Sequence, residues 1–221
     1  MKGFLQRNGL LLVSFFVFFL LFFVGQTVTG HRVYNSDQVE HGQPAISMPE
    51  YLTTGHFLEA TMENWESEFL QMGAYVLLTV WFRQRGSAES KKLDEEEAVD
   101  KDPLEDVRPD SPWPVRKGKG PALALYKNSL SLAFFVLFAS SFVLHLVGGA
   151  REFSQGQQAH GGGPVTPSEF LMTADFWFQS LQNWQSEFLA VAAIVFLSIY
   201  LRQQGSPESK PVAAPHAETG S

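Results

Sequence analysis

The chain of 221 residues carries 16 Lys and Arg against 23 Asp and Glu, with 20 Phe, no Cys and 45% hydrophobic residues. The lack of Cys excludes disulfide frameworks, thiolate nucleophiles, Cys-ligated zinc and iron–sulfur clusters, and a net charge of -7 has the wrong sign for general nucleic-acid binding, which needs a basic surface. A mean hydropathy of -0.05 averages very apolar and very polar stretches, so the apolar residues are clustered.

The first cluster, residues 9–30, contains no Lys, Arg, Asp or Glu. It exceeds the ~20 residues that a helix needs to cross a hydrocarbon core of ~30 Å. Lys2 and Arg7 precede it, as in a secretory signal peptide, but the run is long for one and no A-x-A-like cleavage site follows. An outer loop comes next, with Arg32, His41-Gly42 and then Ser47-Met48-Pro49-Glu50. That last string has the S/T-x-x-E spacing of a capping box and predicts a helix start. Gly55 interrupts this helix, after which Phe57, Thr61, Trp65, Phe69, Met72 and Val76 keep helical spacing. The spacing predicts a short interfacial helix leading into a second span over about 63–83. Its apolar part, Phe69 to Phe82, rises only ~21 Å, so the span must take in Trp65-Glu66-Ser67-Glu68 unless the bilayer thins. Arg83-Gln84-Arg85-Gly86-Ser87 then reads as a helix end with Gly at the C-cap.

Residues 92–121 are rich in charge, Pro and Gly and lack apolar periodicity, which predicts a disordered cytoplasmic linker, open to a partner there. After it the layout of the first 91 residues returns. An offset of 119 aligns residues 11–91 with 130–210 without a gap, and about two in five pairs are identical. Gly30 and Arg32 meet Gly149 and Arg151, His41 meets His160, and Asn64-Trp65-Glu66-Ser67-Glu68-Phe69-Leu70 meets Asn183-Trp184-Gln185-Ser186-Glu187-Phe188-Leu189. Thr166-Pro167-Ser168-Glu169 repeats the capping box. The predicted organisation is unit 1 over 1–91 (spans about 9–30 and 63–83), the linker 92–121, unit 2 over 122–210 (spans about 129–150 and 182–202) and a disordered tail over 211–221.

Fourteen of the 16 Lys and Arg fall at the termini or in residues 83–127, leaving only Arg32 and Arg151 for the other side. The positive-inside rule then places both termini and the linker in the cytoplasm. The expected fold is an all-α polytopic membrane protein, with four transmembrane helices as two parallel tandem two-helix repeats and short interfacial helices in the outer loops. Inverted-repeat transporter architecture is disfavoured.

Glu68 and Glu187 are the transmembrane-level carboxylates shared by both copies, whereas Glu63 and Glu66 become Gln182 and Gln185, which reads as variation on a wet face. Two readings of the shared pair stand. Facing the bundle interior, they form a functional layer with Gln26, Asn64, Ser67, His145, Asn183 and Ser186. Facing the interface, they reach up to water beside an aromatic belt of Trp65 and Trp184. Arg32 and Arg151, just above, are candidate ion-pair partners for the two Glu. No catalytic constellation, metal-ligand spacing or cofactor motif is present. His145 alone does not make a haem or metal site, and His41 and His160 read as turn residues.

The string Gly55 to Val80, with its Asn-Trp-x-Ser-Glu-Phe motif and the Arg-Gln-x-Gly-Ser end, resembles a family of small bacterial membrane proteins described only as a domain of unknown function. The resemblance implies a bacterial cytoplasmic membrane and four spans, and supplies no activity. The partners expected are the lipid bilayer, another copy or a membrane protein, and a cytoplasmic protein at the linker, with no nucleic acid. The function expected is a non-enzymatic structural or interaction role. The alternative is a small proton-linked transporter or channel using Glu68 and Glu187.

Overall fold

A computed structural model describes residues 9–220, and among them every regular element is helical. Lys2 and Arg7, used in the topology argument, lie outside the described residues. The elements are α1 (Leu10–Glu40), α2 (Met48–Tyr51), α3 (Gly55–Trp81), α4 (Trp113–Arg116), α5 (Pro121–Lys127), α6 (Ser129–Ala159), α7 (Pro167–Phe170) and α8 (Ala174–Tyr200).

In α1 the hydroxyls fold back on their own helix: Ser14 donates to the Leu10 carbonyl, Thr27 to Phe23 and Thr29 to Gly25, each at 2.8 Å. Such bonds satisfy polar side chains without water, as an apolar surround requires. The large side chains of α1 point outward on all sides; Leu11 and Leu12 are 71% and Phe22 69% exposed. Both α1 and α6 run well past the apolar runs that predicted them, so Arg32 and Arg151 are helical residues.

Of the four spanning helices expected, three, α1, α6 and α8, meet the length and apolarity of a span among the described residues. Helix α3 equals α8 in length, but Glu59, Glu63, Asn64, Glu66, Glu68 and Gln71 make its first two thirds too polar.

The predicted capping boxes are both present. The Ser47 and Thr166 amides donate to the carboxylates of Glu50 (2.7 Å) and Glu169 (2.8 Å), with Pro in the first turn. Each starts a short helix of a single turn, α2 or α7. Helix α3 begins afresh at Gly55, where the interruption was expected.

The chain forms two compact units. Unit 1 comprises the chain through Met62 together with Leu144–Phe176. Its core is aromatic: Tyr34 lies 5.7 Å from Tyr51, which lies 5.6 Å from Phe57. At positions 119 residues on, Phe153 lies 5.3 Å from Phe170, which lies 5.6 Å from Phe176. Such ring pairs contribute about 0.5–1.5 kcal/mol each beyond area burial. Gly30 and Gly149 provide the dents for the central rings. A Cβ at Gly30 would lie 2.3 Å from the Tyr51 hydroxyl, and one at Gly149 would lie 2.4 Å from Phe170 Cε1. Helices α3 and α6 cross backbone to backbone, since a Cβ at Gly55 would lie 2.7 Å from the Gly148 carbonyl.

Unit 2 comprises Glu63–Val143 and the chain from Trp177 onward. Here Gly73 faces Phe134, and the indole of Trp184 packs edge-on against Phe138 and Trp177. The tail folds over the turn after α3: the Gly86 amide donates to Thr219 Oγ1 (2.9 Å) and the Gly220 amide to the Ser87 carbonyl (3.0 Å).

Candidate functional site

Within unit 2 the polar residues of α3 face α8 with a pattern that helical spacing alone did not resolve. Glu66 is fully buried, at 0% exposure, and its carboxylate accepts the indole N–H of Trp184 at 3.1 Å. Gln71 donates to the main-chain carbonyl of Glu187 at 2.8 Å. Ser67 is buried and donates to the Asn64 carbonyl, while Asn64 itself is exposed. Glu68, the residue singled out by the repeat, is exposed, and Glu187 is half-buried. Of the two carboxylates, Glu66 is the buried one, although its replacement by Gln185 in the second copy reads as variation on a wet face. The signal that could have found it is the Trp: a buried indole N–H needs an acceptor, and Glu66 supplies one to Trp184. On α8, Asn183 donates to the Gln179 carbonyl and Ser186 to the Asn183 carbonyl, so both serve their own helix.

Gln26 and His145 belong to unit 1. The Gln26 amide donates to the Ala60 carbonyl at 3.2 Å, tying α1 to α3. His145 is fully buried, its ring stacked on Phe176 at 5.0 Å. The eight residues expected to form one polar layer are thus divided, two in unit 1 and six in unit 2. Arg32 and Arg151 are exposed, and neither makes an ion pair among the described residues of unit 1.

A further polar cluster in unit 1 was not foreseen. Tyr34 donates to Gln155 (3.2 Å), Gln38 donates to Tyr34 (3.0 Å), and the Tyr51 hydroxyl meets His56 Nδ1 at 3.1 Å. Burial pushes the Tyr51 hydroxyl above its ordinary pKa, and the Glu152 charge adds to that. Asn35 clamps both polar atoms of Ile46, as Ser154 clamps those of Val165. These clamps fix the residue just before each capping box. The rings of His41 and His160 approach to 5.8 Å, each with its Nδ1 on a carbonyl of the preceding turn. No group of three or more metal-ligating side chains exists among the described residues.

The model of one protein family, a domain of unknown function designated DUF6766, matches residues 1–221. The chain belongs to that family. No curated protein and no solved structure matches it. Membership in DUF6766 places the whole chain in one family and assigns no activity to any of its residues.

The DUF6766 chain has one more recurring feature, the turn that ends α3 and α8. Gln84 donates its amide to Ser90 Oγ and Gln203 its own to Ser209 Oγ, both at 2.9 Å. Glu89 and Glu208 donate theirs to Ser87 and Ser206. Gly86 and Gly205 hold φ of 84° and 86°, which side-chain-bearing residues rarely adopt. Arg202 donates to three carbonyls at the end of α8 and to Ala214, and Lys210 donates to the carbonyls of Pro215, His216 and Glu218. Enclosure by its own loop, with Arg202 nearby, pushes the Lys210 ammonium below its ordinary pKa. Close to the first turn, Tyr75 donates to Glu89, and a cavity of about 250 Å³ opens beside them, bounded also by Gln71, Phe82 and Phe188.

Proposed function

We propose that this DUF6766 protein is a multi-pass protein of a bacterial cytoplasmic membrane with a structural or interaction role and no enzymatic activity. The observation that carries the reading is the exposure of large apolar side chains around α1. A helix that presents Phe and Leu on every face is stable where lipid surrounds it. In this reading α3 also crosses, as the fourth span. Among its polar groups, Glu66, Ser67 and Gln71 are tolerable at membrane depth because they are buried and bonded to their own or neighbouring helices, while the exposed Asn64 and Glu68 reach toward the outer interface. An even number of spans puts both termini on one side, and the Lys and Arg bias makes that side the cytoplasmic one. The contacts that recur 119 residues apart, from the aromatic triplets to the helix-end turns, support two parallel repeats. The bilayer is one partner; a second copy or another membrane helix would meet the exposed helix faces.

The interior bonds favour a scaffold over a proton carrier, since Trp184 already donates to the buried carboxylate. The test is proton flux in proteoliposomes under an imposed pH gradient. The scaffold reading expects a leak equal to that of empty vesicles and unchanged by Glu66→Gln or by Glu68→Gln with Glu187→Gln. A flux abolished by any of these would establish the transporter instead.

A further inference from the structure

The linker is not uniform in charge. From Asp94 to Asp110 it is dominated by Asp and Glu, whereas residues 111–151 contain none, and Arg116, Lys117, Lys119 and Lys127 crowd the approach to α6. The acidic half uses its own cations: Lys91 pairs with Asp100, Lys92 with Glu95 and Arg108 with Asp106. The four cations of the basic half are exposed, and none forms an ion pair among the described residues. Local folding also sorts the apolar residues. Helices α4 and α5 pack on one another, burying Val115 and Leu123, while Trp113, Leu125 and Tyr126 remain exposed among the cations. The Lys117 ammonium stands 4.9 Å from the Trp113 ring. Asn128 alone separates Lys127 from α6.

We infer that Trp113–Lys127 is a docking surface for anionic lipid headgroups at the face of the membrane from which α6 departs. Unpaired cations beside exposed Trp, Tyr and Leu match the two layers of that boundary: phosphate outside, the edge of the acyl chains beneath. Position selects this partner, because a segment joined directly to a span is held within a Debye length of the headgroups. The inference rests on the reading of α6 as a membrane span.

The chain has no Cys, so Ala124→Cys gives a single labelling site on the exposed side of α5. The full-length labelled protein would be placed in nanodiscs of phosphatidylcholine alone or mixed with phosphatidylglycerol, and quenching of the fluorophore by aqueous iodide measured. Docking predicts protection in the mixed discs only, reversed by 1 M salt, where the Debye length is about 3 Å. Each Lys→Gln or Arg→Gln among the four cations should lower the docked-to-undocked ratio about fivefold. Equal quenching in both lipids would overturn the inference. So would protection in phosphatidylcholine discs produced by added inorganic phosphate, which would indicate a free-anion site. Protection lost on converting Glu95, Glu96 and Glu97 to Gln would identify the chain's own acidic half as the occupant and equally overturn it. Co-elution with the discs is scored separately: a protein that fails to co-elute contradicts the membrane reading, whereas co-elution with a lipid-indifferent label contradicts only the docking.

Discussion

Glu66 and Glu68 stand two residues apart on α3 and meet opposite environments, one enclosed against Trp184 and the other exposed. Removing the indole donor leaves a buried carboxylate short of a bond, which costs about 1–3 kcal/mol. Trp184→Phe should therefore lower the melting temperature in detergent clearly, and Glu68→Gln should shift it by no more than an exposed substitution does, within about 0.5 kcal/mol. A large effect of Glu68→Gln with none from Trp184→Phe would give the interior role to Glu68 instead. A second test at this scale uses Gly30. Overpacking a core costs about 1–3 kcal/mol, and the atom that a Cβ at Gly30 would strike is the Tyr51 hydroxyl. Gly30→Ala should thus be destabilising alone and largely relieved by Tyr51→Phe, measured as a double-mutant cycle. No such relief is available at Gly149, where the obstacle is a ring carbon of Phe170. The recurrence of both glycines was legible in the sequence, but the rings that need them were not, because an aromatic twenty-one residues downstream is brought there only by the turn of the outer loop. Glu66 was misread because shared residues drew attention, whereas its donor, Trp184, sits in the other copy.

At the scale of elements, sequence spacing located the helix starts well because capping is local. The Ser47 and Thr166 amides and hydroxyls bond Glu50 and Glu169, and these bonds hold both carboxyls below the ordinary value of 4.5. A carboxyl whose pKa falls on folding adds stability above its unfolded pKa, and that contribution is lost as pH falls through the folded value. The wild type should therefore be more stable than a Glu50→Gln, Glu169→Gln variant at neutral pH, and the gap should close as acid carries the solution below the ordinary carboxylate range. A gap that widened in acid would contradict the capping role. Where α1 and α6 end was less legible. Their apolar runs stop near Gly30 and Ala150, yet the helices continue to Glu40 and Ala159 because Tyr34 and Phe153, one turn on, pack against Tyr51 and Phe170. The turns after α3 and α8 were readable as helix ends, though the Ser hydroxyls that fasten them were not. Ser87→Ala and Ser90→Ala should each loosen the first turn, seen as faster amide exchange at Gln84 and Glu89 with α1 unaffected.

Across the whole molecule, hydropathy and length identify α1, α6 and α8 as able to cross a membrane, and α3 falls outside that class on its own composition. A helix is judged alone by such a measure, but a carboxylate bonded inside a bundle does not meet lipid. We propose that α3 crosses nonetheless and that both termini share the cytoplasmic side. Because the chain lacks Cys, single cysteines at the exposed positions Gln43, Lys101, Gln158 and Glu208 can each be probed with a membrane-impermeant thiol reagent on intact cells and again after lysis. Four spans predict labelling of Gln43→Cys and Gln158→Cys in intact cells, with Lys101→Cys and Glu208→Cys reacting only after lysis. Labelling that places Gln43→Cys and Lys101→Cys on the same side would show that α3 does not cross, and would contradict the account.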